Sequence, residues 1–414
     1  MNLYIRNIAQ LVTVAAGGAD RKAGAAMADI GLVENAAVLC LEGRIVWAGR
    51  MSDPALPDPG DVPVVDASGQ VVLPGFVDSH THLMFAGSRE REFALRAAGA
   101  TYQQIAEAGG GILSTVRHTR EASKRDLKRS AAHRLAGLLR HGTTTVEIKS
   151  GYGLTPADEI KMLEGINELR DEEVIGVVPT FIGAHAVPSE YRGDPASYVR
   201  VVVEEMIPYV GRKGLAAFCD VFCEPGYFDL PASERILRAG RDAGMKLKVH
   251  ADELRPSGGA ELAARLGAVS ADHLERVSEA GIAALCGSRT VAALLPGVSF
   301  FLGHGYAPAR RLIDAGATVA IASDFNPGSC MSFSMPLMMT IACTQMQMTP
   351  EEAITAATLN GAAALGIGDR VGSIEPGKAA DLIVADVPDY RFLAYHFGTN
   401  HIRMTVKNGT ILEF

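Results

Sequence analysis

The sequence predicts an α/β protein: a (β/α)8 TIM barrel with a small β-sandwich domain built from both chain termini. Two observations support this fold class. Between residues 71 and 366, eight short runs rich in Val, Leu and Ile alternate with segments of helical pattern, as in repeated βαβ units. Both ends of the chain consist instead of strand and turn patterns. We therefore expect a composite β domain (1–70 and 367–414) and a barrel (71–366).

The N-terminal seventy residues are predicted to form strands and hairpins. The run N-A-A-V-L-C-L-E-G-R-I-V-W-A-G (35–49) indicates a hairpin that turns at Glu42 and Gly43. The first residues, M-N-L-Y-I-R-N-I-A-Q-L-V, lack the basic start and continuous apolar run of a signal peptide, so they are expected to form a strand. The C-terminal tail returns to hairpin patterns and should join these strands.

The barrel prediction depends on eight strands and the helices between them. The predicted strands span residues 71–80, 143–150, 174–185, 219–225, 246–253, 268–273, 290–297 and 318–325. Several intervening segments begin with Pro or Ser and end with Gly, the residues favoured at helix starts and ends. Two further helices, E-E-A-I-T-A-A-T-L-N-G-A-A-A-L-G (351–366) among them, are expected to close the barrel.

The composition of the chain limits which binding partners and which cellular compartment are expected. The chain has 47 acidic and 39 basic residues, a net charge of −8, which argues against nucleic acid or an anionic membrane as the main partner. No run reaches the roughly 18 apolar residues of a membrane-spanning helix. The six cysteines are scattered, which favours free thiols in a reducing compartment. We expect a cytoplasmic homodimer that binds a small molecule.

Metal-binding side chains follow three of the predicted strands. His80 and His82 lie in V-D-S-H-T-H, His250 in K-L-K-V-H-A-D-E and Asp324 in V-A-I-A-S-D-F. The C-terminal ends of all strands in a parallel barrel open on one face, so these residues should meet there. Three imidazoles and one carboxylate suit Zn²⁺ or a similar transition ion, with room left for water. The pattern therefore predicts a metal hydrolase site. Strand four ends in C-E-P, without a lysine that could bridge two metals.

Four residues near these ligands are candidates for catalysis. Glu253 follows the fifth strand and could carry protons to and from a water without binding the metal. His273 ends the sixth strand and is either a fifth ligand or, the interpretation we favour, a partner of that water. Asp324 could bind the metal and accept the proton of the nucleophile, or else cap a following helix. His185 ends the third strand and could polarise a substrate carbonyl.

Other polar residues at the strand ends could contact a substrate. Arg89 follows the first strand and could clamp a carboxylate in bidentate fashion, or form a surface salt bridge. Tyr152 lies between two glycines in K-S-G-Y-G, which suggests a close backbone approach. Asn326, Gly328 and Ser329, in D-F-N-P-G-S, could offer amide, backbone and hydroxyl contacts.

Taken together, the motifs resemble the amidohydrolase superfamily. The resemblance rests on P-G-F-V-D-S-H-T-H (74–82), the histidines after strands five and six, the aspartate after strand eight, and G-S-I-E-P-G-K-A-A-D-L-I-V (372–384). A narrower set is similar to the imidazolonepropionase family. That set comprises H-T-H-L-M-F-A-G-S-R-E-R-E-F (80–93), A-G-G-G-I (108–112), E-I-K-S-G-Y-G-L (147–154), T-F-I-G-A-H-A-V-P (180–188), H-A-D-E (250–253) and S-D-F-N-P-G-S (323–329).

The narrower resemblance implies a reaction and a set of site residues. The reaction is hydrolysis of the cyclic amide of 4-imidazolone-5-propanoate to N-formimidoyl-L-glutamate in histidine degradation. The implied cofactor is one divalent or trivalent transition metal ion, Zn or Fe, on His80, His82, His250 and Asp324. The implied substrate contacts are Arg89, Tyr152, His185, Glu253 and Ser329, and the implied product contacts are Asn326 and Gly328.

Two alternatives remain open on the sequence. The same scaffold supports deamination of a cyclic amidine, which ammonia release would distinguish from ring opening. A metal-stabilised barrel could also serve only as a binding module. Loss of turnover on chelation, with the fold retained, would indicate catalysis.

Overall fold

The computed structural model describes residues 1–100, 104 and 110–413. Ala108 and Gly109, which open the A-G-G-G-I motif, lie outside these ranges. The N-terminal strands are β1 (Leu3–Val12), β2 (Leu32–Leu41), β3 (Arg44–Arg50), β4 (Val64–Asp66) and β5 (Val71–Pro74). The predicted hairpin is confirmed: β2 pairs with β3, and φ is 52° at Glu42 and 77° at Gly43. Positive φ at both central positions is the signature of a type I′ turn, one of the two favoured two-residue hairpin turns.

Eight parallel strands form the barrel, as predicted. They are β6 (Phe76–Asp78), β7 (Thr143–Lys149), β8 (Gly176–Ala184), β9 (Phe218–Cys223), β10 (Lys246–Ala251), β11 (Ser270–His273), β12 (Val291–Leu294) and β13 (Val319–Ile321). Each strand pairs with the next in chain order. Beyond the last strand, the Asp324 amide donates to the His80 carbonyl at 3.0 Å, and a bridge joins Thr81 to Phe325. These contacts draw the two ends of the sheet together on the side of the predicted site.

Strands from both termini share a second, mixed sheet. The C-terminal strands are β14 (Leu382–Ala385), β15 (Ile402–Lys407) and β16 (Thr410–Leu412). The sheet order is β16-β15-β14-β5-β1-β2-β3, with β4 beside β1. The predicted fold class, a barrel with a small β domain of both termini, is confirmed, while the residue boundaries between the two domains stay a prediction.

The prediction of one continuous strand over residues 71–80 was wrong. Residues 71–80 form two strands, because the chain leaves the terminal sheet at Pro74 and enters the barrel at Phe76. The Gly75 amide donates to the Asp381 carbonyl at 3.0 Å at this crossing. A Cβ at Gly75 would lie 2.3 Å from the Thr144 side chain, so only glycine fits the close approach of the two strands.

Helices follow the barrel strands and carry the predicted end signals. The described helices are α1 (Glu90–Ala97), α2 (Ile112–Glu121), α3 (Lys124–Arg140), α4 (Pro156–Glu172), α5 (Pro195–Val201), α6 (Ile207–Lys213), α7 (Leu230–Asp242), α8 (Gly259–Leu266), α9 (Glu279–Cys286), α10 (Pro296–Leu302), α11 (Ala309–Asp314), α12 (Met335–Gln345), α13 (Pro350–Ala357), α14 (Leu359–Ala363) and α15 (Phe392–Tyr395). At the start of α4, Thr155 accepts from the Asp158 amide and Pro156 follows. The helix predicted over 351–366 is interrupted at Thr358, between α13 and α14.

The interior of the barrel is charged, which the strand patterns did not predict. Apolar side chains pack between the strands and the outer helices. Inside the barrel lie five fully buried charged residues: Glu147, Lys149, Asp220, Lys248 and Asp272. Barrel interiors are usually filled by branched apolar side chains, so a charged interior next to a predicted metal site suggests a role in that site.

Two smaller expectations concern membranes and thiols. None of the described helices combines the length and the apolar character needed to cross a bilayer. The six cysteines are free thiols, as predicted, and Cys40, Cys219, Cys223 and Cys330 among them are buried.

Candidate active site

The four predicted metal ligands lie together at the C-terminal end of the barrel. Nε2 of His80 is 3.4 Å, and Nε2 of His82 is 3.6 Å, from Oδ1 of Asp324. The Nε2 atoms of His82 and His250 are 3.3 Å apart. All four residues are buried. The prediction that these distant residues converge on one face of the barrel agrees with their positions, and their role as ligands is taken up below.

The donor atoms of this cluster fit a cation. His80 Nε2 and Asp324 Oδ1 are buried and have no hydrogen-bond partner among the described residues. Burial holds the pKa values of His80 and His82 well below the usual range, so both rings are neutral and can offer a lone pair. An unpaired buried polar atom costs about 1–3 kcal/mol, which a bound cation would offset. The cluster can therefore hold a divalent metal ion.

Two buried carboxylates orient the histidine rings. His80 Nδ1 lies 2.6 Å from Asp272 Oδ2, and His250 Nδ1 lies 3.1 Å from Asp220 Oδ2. A carboxylate can only accept, so Nδ1 of His80 carries its ring proton. The lone pair of the neutral His80 ring is then on Nε2, the atom that faces the cluster. Nδ1 of His250 lies close to Asp220 but has no partner in hydrogen-bonding geometry among the described residues.

The predicted proton carrier, Glu253, shares the His273 ring with a second carboxylate, Glu275. His273 Nδ1 lies 3.5 Å from Glu253 Oε2 and 3.6 Å from Glu275 Oε2. Burial lowers the pKa of His273, but the two carboxylates outweigh it and raise that pKa to about 10. Burial raises the pKa of Glu253 to about 7 against the opposing charge of His273. A charged imidazole beside a carboxyl that titrates near neutrality suits proton transfer.

Asp324 is held by the turn that follows it. Its backbone is left-handed, with φ of 48°. Asn326 Nδ2 donates to Asp324 Oδ2 at 2.9 Å, and Ser329 Oγ lies 3.3 Å from the same oxygen. Burial raises the pKa of Asp324 to about 6. The alternative role as a helix cap does not apply, because α12 is capped by Ser334. These contacts leave Oδ1 free to face the histidines.

His185 stacks on a predicted ligand and is a hydrogen-bond acceptor toward the cavity. Its ring lies 4.5 Å from that of His82, and the two planes differ by 9°. Its Nδ1 is 3.0 Å from the Gly151 carbonyl, which can only accept. Burial lowers the pKa of His185 to about 3, so the ring is neutral. With the proton on Nδ1, Nε2 has a lone pair and no hydrogen to donate.

The loop that carries Tyr152 is organised by a buried carboxylate. Glu159, fully buried at the start of α4, accepts from the amides of Gly151, Gly153 and Leu154 at 2.8–3.1 Å. The ring of Tyr152 lies 5.4 Å from that of His185. Because Gly151 also accepts from His185, Glu159 holds both predicted substrate contacts in one arrangement.

Arg89 also lines the cavity. Its Nε and Nη2 donate to Oε2 of Glu92 at 2.8 and 2.7 Å. Glu92 also accepts from the Gly111 amide at 3.0 Å. A Cβ placed on Gly328 would lie 2.1 Å from Arg89 Nη1, so the guanidinium packs directly on that glycine. Glu92 occupies one edge of the predicted clamp, and no residue within 1–100, 104 or 110–413 accepts a hydrogen bond from Nη1.

One cavity of about 520 Å³ brings these groups together. The predicted residues that line it are His82, Arg89, Tyr152, His185, His250, Glu253, His273, Asp324, Asn326, Gly328 and Ser329. His80 does not line the cavity but belongs to the cluster of residues that could hold a metal ion. The cavity is also lined by Arg96, Phe222, Tyr227, Leu302 and His304. Every site residue predicted from sequence thus lies in or against one cavity.

Several residues of the site were missed from the sequence. They are Glu92, Glu147, Lys149, Glu159, Asp220, Lys248, Asp272 and Glu275, while Glu224 was considered only as a bridge between two metals. Glu224 supports the loop after β10 by accepting from the Glu253 amide at 2.7 Å. The sequence did mark the charged residues that lie within strands, because a charge inside a short apolar run is unusual unless it is paired.

A barrel with histidines and an aspartate at its strand ends is typical of amidohydrolases, and comparison with known proteins agrees. The amidohydrolase family model matches residues 71–412. Among solved structures, an adenosine deaminase from Xanthomonas campestris with bound zinc has a TM-score of 0.73 at 20% identity, covering 99% of this chain and 92% of that one. An atrazine chlorohydrolase from Arthrobacter aurescens TC1, complexed with zinc, has a TM-score of 0.74 at 19% identity, with 99% and 95% covered.

Curated relatives are much more similar in sequence. An imidazolonepropionase of Porphyromonas gingivalis is 52% identical over 414 residues, which is 100% of this chain and 97% of the relative. An imidazolonepropionase of Geobacillus kaustophilus is 48% identical over 417 residues, which is 99% of this chain and 97% of the relative. The chain therefore belongs to the amidohydrolase family and, within it, to the imidazolonepropionases.

Proposed function

We propose that the protein hydrolyses the cyclic amide of 4-imidazolone-5-propanoate to N-formimidoyl-L-glutamate, a step of histidine degradation. One observation carries the proposal: a single cavity joins the cluster of metal-binding atoms to the guanidinium of Arg89. The cluster suits attack of water on a ring carbonyl, and the guanidinium suits a propionate. The names of the relatives at 52% and 48% identity support the same reaction.

The metal would be one Zn or Fe ion, held by Nε2 of His80, His82 and His250 and by Oδ1 of Asp324. A donor set of three imidazoles and one carboxylate suits either element. When bound, such an ion supplies polarisation of the carbonyl and a lowered pKa for water. Elemental analysis of the purified protein would decide between the two metals.

Glu253 would move the proton. Above its pKa of about 7 it is a carboxylate and can take a proton from the attacking water. The water oxygen bonds to the ring carbonyl carbon, the carbon–nitrogen bond breaks, and Glu253 returns the proton to the leaving nitrogen. His273, held as an imidazolium, would orient the water by donating a hydrogen bond. Asp324, with a pKa of about 6, is a second acceptor close by.

The oxyanion role expected of His185 does not fit its hydrogen bonding. Stabilising an oxyanion needs a donor, whereas neutral His185 donates to the Gly151 carbonyl and presents a lone pair at Nε2. A cyclic imidazolone carries a ring N–H that such an acceptor can bind. We therefore assign His185 to recognition of a ring N–H, with its ring plane fixed by stacking on His82.

Arg89 would bind the propionate through the Nη1 end of its fork. The other edge is held by Glu92, so the side chain is already oriented before a ligand enters. Asn326 and Gly328 would contact the product, and Tyr152 and Ser329 the substrate. Preorganised charge-assisted hydrogen bonds of this kind lose little entropy on binding.

Compartment and assembly are also proposed. We infer a cytoplasmic homodimer that acts on a small molecule and on neither nucleic acid nor a membrane. The net charge of −8 supports the exclusion of nucleic acid. Sedimentation of the purified protein would test the dimer.

The decisive experiment is product analysis. Purified protein incubated with 4-imidazolone-5-propanoate should open the ring and release no ammonia. Ammonia release from a cyclic amidine, with no ring opening of the imidazolone, would identify a deaminase instead. Chelation should abolish turnover while the circular dichroism spectrum is retained. Retained turnover in fully metal-depleted protein would contradict a metal-dependent hydrolase.

A further inference from the structure

A cluster of buried charges lies directly beneath the proposed metal ligands. It comprises Glu147 and Lys149 on β7, Asp220 on β9, Lys248 on β10 and Asp272 on β11, none with any exposed surface. Three carboxylates face two ammonium groups, which leaves one excess negative charge next to a proposed cation site. The steps of the proposed reaction use none of the five.

Lys149 is the common partner of the carboxylates that orient the ligand histidines. Its Nζ lies 2.7 Å from Asp220 Oδ2 and 3.7 Å from Asp272 Oδ2. The same Asp220 oxygen is 3.1 Å from His250 Nδ1, and the same Asp272 oxygen is 2.6 Å from His80 Nδ1. Lys149 Nζ therefore donates to Asp220 and forms a longer ion pair with Asp272, whose same oxygen also lies 3.3 Å from Lys248 Nζ. Each of the two aspartates faces a different ligand ring.

We propose that Lys149 is a positioning residue of the metal centre, which holds the rings of His80 and His250 through Asp272 and Asp220. The inference deepens the proposed function, since it rests on those histidines as ligands. Without Lys149, Asp220 would lose the ammonium group that lies 2.7 Å from its Oδ2, while Asp272 would keep only Lys248 at 3.3 Å. The two carboxylates would then repel each other more strongly in a medium of low polarity and turn away from the rings. Partners behind ligand histidines typically contribute about 10–100-fold to metal affinity.

Glu147 provides the matched control. It is as deeply buried and lies 2.8 Å from Lys149 Nζ. In the described part of the chain it forms no hydrogen bond with a ligand histidine, although its carboxylate lies within 4.8 Å of a His80 ring nitrogen. If the charge cluster only fills the barrel, Glu147 and Lys149 should matter equally. If Lys149 acts through the aspartates, its removal should lower the affinity for the metal, whereas removal of the Glu147 charge should not.

The test measures the affinity of full-length protein for Zn²⁺ by chelator competition, without substrate. Lys149→Met should lower that affinity about 10–100-fold and shift the absorption spectrum of the Co²⁺-loaded protein. Glu147→Gln should change both far less. Parent-like affinity in Lys149→Met, or an equal loss in Glu147→Gln, would overturn the proposal. Because substrate is absent, failure of the proposed reaction would not alter this outcome.

A double variant covers the case in which Lys149→Met does not fold. Lys149→Met combined with Asp220→Asn removes one charge of each sign and keeps the excess of one negative charge. Asp220→Asn alone already removes the path to His250, so the double variant should bind Zn²⁺ more weakly than Asp220→Asn only by the part that Lys149 contributes through Asp272, less than about tenfold. A further loss of about tenfold or more relative to Asp220→Asn would show that Lys149 does not act mainly through Asp220 and would contradict the proposal.

Discussion

Gly328 and Arg89 pack so closely that no side chain fits between them. A Cβ on Gly328 would lie 2.1 Å from Arg89 Nη1. The glycine belongs to the turn that also holds Asp324, since its amide donates to Asn326 Oδ1 at 2.8 Å. The propionate end of the proposed site is thereby joined to the metal end through one short turn.

Gly328→Ala should weaken substrate binding without removing the metal. The added methyl group must displace the guanidinium, so we expect KM to rise about tenfold, which corresponds to roughly one lost charge-assisted hydrogen bond. Metal content and kcat should change little. Gly193→Ala is the matched control, because a Cβ there meets nothing within 4 Å. An unchanged KM for Gly328→Ala would show that Arg89 does not bind the substrate from this position.

Arg89→Ala should raise KM more than it lowers kcat, because a group that binds the substrate tail stabilises the bound substrate and the transition state about equally. The lost hydrogen bonds are worth roughly 1.5–3 kcal/mol, or about ten- to a hundredfold. Arg89→Lys should recover only part of this, since an ammonium cannot form the planar fork. Arg91→Ala, on the exposed side of α1, should behave like the parent.

An imidazolone without the propionate separates binding of the tail from support of the fold. It should be a poor substrate for the parent and about equally poor for Arg89→Ala, because the variant has lost nothing that this analogue uses. If Arg89→Ala weakens both substrates alike, the residue supports the start of α1 through Glu92, and the carboxylate must be bound elsewhere.

His80→Ala or Asp324→Ala should remove or misplace the metal and lower activity by several orders of magnitude. The free energy of unfolding should fall only modestly, since the apolar layer outside the strands is unchanged. Metal analysis and thermal unfolding would be compared with His133→Ala, an exposed histidine outside the site. Normal turnover by either variant in metal-depleted buffer would show that the ligand assignment is wrong.

His185→Ala distinguishes an acceptor for the substrate from a donor to an oxyanion. Loss of a ground-state hydrogen bond should mainly raise KM. Loss of an oxyanion donor would instead lower kcat by about 10²–10³. We expect the first result, since Nδ1 donates to the Gly151 carbonyl. A large fall in kcat with KM unchanged would contradict the assignment.

The barrel and its cluster of histidines could be predicted because the relevant information is local. His80 and His82 follow an apolar run, and a parallel barrel places all such strand ends on one face. Lys149 and Asp220 could not be placed in this way. The alternation of a strand shows which residues share a face, but not whether that face points into the barrel or toward the helices.

The precise roles of two predicted site residues also could not be predicted from the sequence. Arg89 was expected to offer both arms of its fork, but Glu92, three residues further along, already accepts from Nε and Nη2. His185 was expected to donate, but the Gly151 carbonyl fixes its proton on the far nitrogen. Both outcomes depend on contacts between side chain and backbone that residue spacing does not reveal.

Glu253→Gln should lower kcat by about 10²–10⁴, a usual span for a general acid–base group. The residue acts as a carboxylate, and burial raises its pKa to about 7, so kcat/KM of the parent should fall as the pH drops below about 7. That acid limb should be absent in Glu253→Gln, which has no titrating group at this position. Metal content should stay near that of the parent, and exposed Glu279→Gln serves as the control. Full activity, an unchanged acid limb or loss of the metal would each contradict the role of Glu253 as a proton carrier.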